Sequence, residues 1–322
     1  MLRFDGHTKP VRCVAFAPDG SGLASGGDDR TVRVWDRATA ACLRVFTGHA
    51  GPVWAVAFHP DGTDLASGGV EPPGETEPVH YWHLADDKDD SLPARLWGWA
   101  DRVRHIRPTL AWWDGTDGDL IHCLRYVRGG RGLLTASRHA NAAAAGYAPS
   151  RVRCLEVGDD APAGKSWLDH RANVRAAAVS ADAETVAVAS RQYVRCGRLD
   201  ADRVPPAYPA KGDVWSLALS PDGHRLAGCW QDRVTVWDAG GTEVREYAGH
   251  DAAVRAVAYH PGGSAVASAG LDGRVMVWDP DTGTALARYD WGLGPVHALA
   301  FAPDGLTLAV AGDGGLILVD FD

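Results

Sequence analysis

No run of 18 apolar residues occurs anywhere in this 322-residue chain, which argues against a membrane-spanning helix. The opening residues, MLRFDGHTKP, lack the basic stretch followed by an apolar one that a secretory signal needs, so the cytoplasm is the expected compartment. No CxxC pair is present. Cys13, Cys42, Cys123, Cys154, Cys196 and Cys229 are scattered, and they are expected to be reduced, packed thiols rather than a disulfide framework. Lysine is scarce, 4 against 28 arginines, which reflects genomic base composition. A net charge of −9 gives poor long-range attraction to nucleic-acid phosphate. The charge is uneven, however. Residues 94–203 hold 17 Lys+Arg and 12 Asp+Glu, a balance of +5, which leaves −14 on the remainder.

What the chain does have is one template, written several times. VRCVAFAPDGSGLASGGDDRTVRVWD at 11–36 returns as VWAVAFHPDGTDLASGG at 53–69, VWSLALSPDGHRLAGCWQDRVTVWD at 214–238, VRAVAYHPGGSAVASAGLDGRVMVWD at 254–279 and VHALAFAPDGLTLAVAGDGGLILVD at 296–320. Degenerate copies begin at Ile121 and Val174. The seven leading residues are Val11, Val53, Ile121, Val174, Val214, Val254 and Val296, separated by 42, 68, 53, 40, 40 and 42 residues. A period near 40–45 residues of short alternating strands punctuated by turn residues predicts the blades of a β-propeller. A four-stranded blade cannot bury both faces by itself and must stack on its neighbours.

GH at 6–7, 48–49 and 249–250 and WD at 35–36, 237–238 and 278–279 resemble the WD-repeat family, strongly over 4–69 and 211–322 and weakly over 94–203. The resemblance and the period together predict an all-β fold. The expected architecture is a single domain over 1–322, a seven-bladed propeller of four-stranded antiparallel blades. The last repeat ends at LILVDFD without a fourth strand, and Phe4 aligns with Phe46 and Tyr247 of the other fourth strands. MLRF is therefore expected to pair onto the C-terminal blade and close the ring, which removes exposed edges and engages both termini, with no further domain missing.

His7, Ser25, Asp29 and Trp35 contain the ingredients of a hydrolase triad. His250, Ser268, Asp272 and Trp278 repeat the set at the same spacings, and His49, Ser67 and Trp82 repeat most of it. Catalysis needs one site, not one per blade. The family resemblance implies a buried hydrogen-bond chain instead, with no enzyme activity, no cofactor and no metal. Val188, Gly228 and Val310 stand where Ser is expected, and Leu155 and Val319 where Trp is, so those blades are expected to rely on apolar packing. Asp114, Asp117 and Asp119 do not have calcium-loop spacing.

By topology, extra residues at about 70–78, 98–118 and 138–150 emerge at one end of the disc, in two adjacent blades. Long loops on a rigid scaffold often carry binding function. At the same end the residue after each leading position should face the channel mouth: Arg12, Trp54, His122, Arg175, Trp215, Arg255 and His297, a ring without an acid. Arginine offers forked donors and tryptophan a flat face. The expected function is a non-catalytic scaffold binding a protein or peptide there, an anionic segment among the options, with no nucleic acid and no membrane. The alternative is a small-ligand or enzymatic propeller roofed by the insertions. Trp97, Trp99, Trp112 and Trp113 either pack beneath the insertion or form a contact patch. ADDKDDS at 85–91 is expected to be a solvated loop at the opposite end.

Overall fold

The turn chemistry of the repeat is visible in the backbone of the computed structural model, which describes residues 1–70, 79–84, 119–127, 132–139, 150–156, 174–182, 184–190, 193–198, 205–238 and 240–321. In the first P-D-G turn the Gly20 amide donates to Ala17 O at 2.9 Å and Asp19 Oδ1 accepts from the Ser21 amide at 2.9 Å. Gly20 has φ +72°, a region that side chains rarely enter.

Among the described residues the strands joined by these turns form seven antiparallel sheets. Val11–Phe16, Gly22–Gly27, Val32–Asp36 and Cys42–Phe46 make sheet one; Val53–Phe58, Asp64–Gly69 and Val79–His83 make sheet two. Sheet three is Asp119–Val127, Gly132–His139 and Ser150–Glu156; sheet four is Ala176–Val179, Thr185–Ala189, Tyr193–Arg198 and Ala207–Pro209. Sheet five is Ser216–Leu219, Arg225–Trp230, Arg233–Asp238 and Glu243–Ala248; sheet six is Val254–Tyr259, Val266–Gly270, Arg274–Trp278 and Ala285–Asp290. Sheet seven is Val296–Phe301, Thr307–Gly312 and Gly315–Asp320, with Leu2–Phe4 on its outer edge in the register Leu2 to Leu318, Arg3 to Ile317 and Phe4 to Leu316. The fold is an all-β propeller built of four-stranded antiparallel blades. Five of the sheets have four described strands, and sheets two and three have three. No helix is long and apolar enough to cross a membrane among the described residues.

The core lies between sheets rather than within one. Small and β-branched residues on each inner strand meet the next sheet, and the apolar clusters couple one with two, two with three, three with four, four with five, five with six, six with seven and seven with one. The last of these joins Phe4, Leu316 and Leu318 to Val11, Leu23 and Trp35. The thiols of Cys13, Cys123 and Cys229 are free and buried in this packing. Burial pushes the Cys13 and Cys229 thiols up to about 12, which keeps them protonated.

Aromatic residues of the outer strands seal the seams. Phe46 stacks on Trp82 at 4.7 Å and Tyr247 on Trp278 at 5.2 Å, each crossing to the following sheet, while Phe4 meets Trp35 edge-on at 5.6 Å. Sheet five departs from pure apolar packing. There Trp237 fills the Ser position, since a Cβ on Gly228 would lie 2.8 Å from its ring, and Trp230 Nε1 donates to Thr235 Oγ1 at 2.9 Å.

Candidate functional site

The residues of the expected ring are placed by a recurring break in the β-ladder. Pairing between the first two strands slips between Val11 and Cys13, Val53 and Ala55, Val254 and Ala256, and Val296 and Ala298. In sheet three the same slip skips the residue between Ile121 and Cys123. A bulge leaves one residue unpaired and re-aims its side chain. The residues left out are Arg12, Trp54, Arg255, His297 and His122, although the His122 side chain lies outside the described residues. In sheets four and five, Arg175 and Trp215 stand immediately before the first strand, their amides donating to Ala189 O and Cys229 O at 3.0 and 2.9 Å. All six described ring residues are half-buried.

Two groups form among them. Arg12 Nη1 lies 2.8 Å from His297 Nε2. Trp215 is covered twice, with Arg255 Cζ 3.8 Å and Arg175 Cζ 4.2 Å from its ring centroid. Two guanidinium groups cannot share one face at those distances, so the indole is held between them. Such stacking uses the π-face of the ring rather than the in-plane N–H donors of the arginines.

The ring positions themselves carry no acid, but acids from elsewhere in the chain reach three of them. Asp28 grips Arg12 with two hydrogen bonds, at 2.8 and 2.5 Å; Asp313 Oδ1 lies 2.7 Å from His297 Nε2; and Asp213 Oδ2 lies 3.2 Å from an Arg175 Nη. The Asp28 contact holds the Arg12 guanidinium above its usual range, and burial holds His297 below its own. The acids were missed because they sit in a different column of the repeat. For Asp28 and Asp313 that column is the turn between the second and third strands, which returns to the end from which the first strand starts and places its first residue beside the ring; Asp213 instead stands just ahead of the first strand of sheet five. Reading that turn column against the ring column was the available signal.

The repeated His, Ser, Asp and Trp residues do meet. Trp35 Nε1 donates to Ser25 Oγ at 2.8 Å, Ser25 Oγ lies 2.8 Å from His7 Nε2, and His7 Nδ1 lies 2.8 Å from Asp29. Each donor finds an acceptor when Nδ1 carries the proton and Ser25 donates to Nε2. Burial lowers the His7 pKa, which favours that neutral ring. Trp278, Ser268, His250 and Asp272 repeat the chain at 2.8, 2.8 and 3.0 Å. In sheet two Trp82 and His49 flank Ser67 at 2.7 Å each, and His49 then meets the His80 ring at 4.0 Å. Ser25, Ser67 and Ser268 are all 0% exposed. Replacing Ser25 by Ala strands the Trp35 and His7 groups inside the core and is expected to cost about 1–3 kcal/mol, read as a shift in the urea midpoint at unchanged slope.

The insertions at 70–78, 98–118 and 138–150, the tryptophans 97, 99, 112 and 113, the acids at 114 and 117 and the loop 85–91 lie wholly or almost wholly outside the described residues. The first insertion leaves sheet two at Val70, whose amide donates to Pro52 O at 2.9 Å, two residues before Trp54. Among the described residues no group of three His, Cys, Asp or Glu converges as a metal site.

The family described as "WD domain, G-beta repeat" matches residues 1–36, 40–71, 206–238 and 241–279. The chain is 27% identical to the nuclear distribution protein nudF of Aspergillus niger over 314 residues, 88% of this chain and 62% of that protein. It is 34% identical to the small ribosomal subunit protein RACK1y of Oryza sativa subsp. japonica over 98 residues, 30% of this chain and 29% of that one. It is 29% identical to the human echinoderm microtubule-associated protein-like 1 over 132 residues, 40% of this chain and 16% of that one. The chain thus spans less than two-thirds of the length of each of these relatives. Matched repeats in four stretches, sheets of the same build beside them and the recurring Trp–Ser–His chains lead to one conclusion: the protein carries WD repeats.

Proposed function

We propose that this protein is a non-catalytic scaffold that binds a protein or peptide at the channel end bearing the three insertions. In this reading residues 1–322 are one domain and the seven sheets are the blades of one ring, closed where Leu2–Phe4 supplies the outer strand of sheet seven. The apolar cluster between sheets seven and one supports that closure. The His–Ser–Asp–Trp chains are structural in this reading, because a serine hydroxyl with no exposed surface has no route to a substrate. Two relatives, a small ribosomal subunit protein and a microtubule-associated protein-like protein, are named for association with larger assemblies, which supports a protein partner; the cytoplasm is the proposed compartment.

One observation carries the choice of end. Bulges at equivalent positions turn Arg, Trp and His side chains out of the ladder, and these large groups remain half-buried rather than joining the core. Side chains of this kind dominate protein interfaces. Trp54→Ala is expected to weaken binding of an affinity-captured partner about 30-fold, with melting little changed. Replacing Asp86, Asp87, Asp89 and Asp90 by Ser is expected to leave affinity unaltered. Affinity that follows the acidic loop and ignores Trp54 refutes the choice of end.

A further inference from the structure

The mouth residues are not equivalent, and the difference lies in one column of the repeat. The first residue after the second strand is Asp28 in sheet one, Val70 in sheet two, Leu271 in sheet six and Asp313 in sheet seven. The amide of each makes the same hydrogen bond, to Pro10 O, Pro52 O, Ala253 O and Pro295 O respectively, so the four positions are structurally equivalent. In sheets one and seven the carboxylate there reaches the ring residue of its own sheet, Arg12 or His297. In sheet six the ring residue is Arg255 and the partner position holds Leu271.

Arg255 therefore has no resident acid. Among the described residues it contacts the Trp215 ring and no carboxylate. Burial, together with repulsion from Arg12, holds its guanidinium below the usual arginine range. A partly desolvated cation is stabilised when a carboxylate completes it, and the Trp215 stack has already fixed the plane of its fork.

We propose that Arg255 is the anchor for a single Asp or Glu side chain of the partner peptide, which occupies the place that Asp28 occupies on Arg12. The inference rests on the proposed binding end and names the chemistry recognised there. A side chain is the indicated carboxylate, because the chain's own aspartate side chains fill the two equivalent slots. A polyphosphate backbone does not fit: Asp28, Asp213 and Asp313 lie at the mouth and repel a polyanion, leaving, among the described ring residues, one arginine without an acid for one negative charge.

The test is selection of a random peptide library on the full-length protein, followed by fluorescence anisotropy of the best end-blocked peptide. The enriched sequences are expected to share one Asp or Glu, and its replacement by Gln to weaken binding about 30-fold. Arg255→Gln is expected to weaken binding equally, with no additional loss when the peptide also carries Gln. Leu271→Asp supplies the missing resident acid without touching Arg255 and is expected to block the acidic peptide to the same degree, while Leu271→Asn binds like the unaltered protein. Melting curves identify any variant that fails to fold; if Leu271→Asp fails, the peptide Gln and Arg255→Gln cycle decides.

Enriched peptides without an acid, full affinity after the peptide change, or a folded Leu271→Asp protein that binds normally would overturn the proposal. So would an oligoribonucleotide that displaces the peptide and loses its own binding in Arg255→Gln. If Trp54→Ala abolishes binding while the Arg255 and Leu271 variants do not, the end is right and the carboxylate anchor is wrong. If none of the three matters, or no peptide is enriched, both readings fall.

Discussion

Trp278→Ala is expected to cost about 3–5 kcal/mol of folding stability. Trp278 is 2% exposed, stacks on Tyr247 of the preceding sheet and donates to Ser268. Truncation therefore opens a cavity at the seam between sheets five and six and leaves Ser268 and His250 without the donor that orders them. Set against a typical total of about 5–15 kcal/mol, the loss is large. Trp278→Phe separates the two contributions: it keeps an aromatic face for Tyr247 but removes the N–H, and about 1–3 kcal/mol is the expected cost. Urea unfolding followed by circular dichroism measures both. A Trp278→Ala protein within about 1 kcal/mol of the parent would mean that the seam is not held by the aromatic pair.

Deleting residues 1–5 is the second large effect. Phe4 is 3% exposed and packs on Trp35, and Leu2–Phe4 pair with Leu316–Leu318. Loss of the Phe4 burial contributes about 1.5–3 kcal/mol, and each lost backbone hydrogen bond about 0.5–1.5 kcal/mol more. The deletion also bares the edge of Gly315–Asp320, whose unpaired amides and carbonyls are a template for another chain. The truncated protein is expected to melt well below the parent and to elute in part as larger species. A truncated protein that elutes and melts like the parent would show that Leu2–Phe4 contributes nothing to holding sheet seven.

The fold was legible in the sequence because its signals are local and repeated. Alternating apolar residues, P-D-G turns and a period near 40 each act within one blade, and their recurrence fixes the register of the copies. Phe4 could be matched to Phe46 and Tyr247 for the same reason. The tetrads were legible as well: a set that recurs at constant spacing marks a position in the unit rather than a single event. Where the unit was degenerate, between about 94 and 203, the local signal was weak, and most of that stretch lies outside the described residues.

The electrostatics of the mouth could not be read the same way. Counting residues in the ring column found Arg12, Arg175 and Arg255 equivalent and free of acids. Their real partners are residues 16, 38 and 40 positions away in the chain: Asp28 for Arg12, Asp213 for Arg175, and Trp215 for Arg255. Bulges and turns bring these groups together across strands and across sheets. The sequence by itself determined the repeat, the strands, the turns and which residues recur. The tertiary structure alone decided which of the described cations are already neutralised and that Arg255 meets an aromatic face without an acid, because Coulombic and stacking interactions depend on through-space distance, and that distance is set only when neighbouring sheets pack.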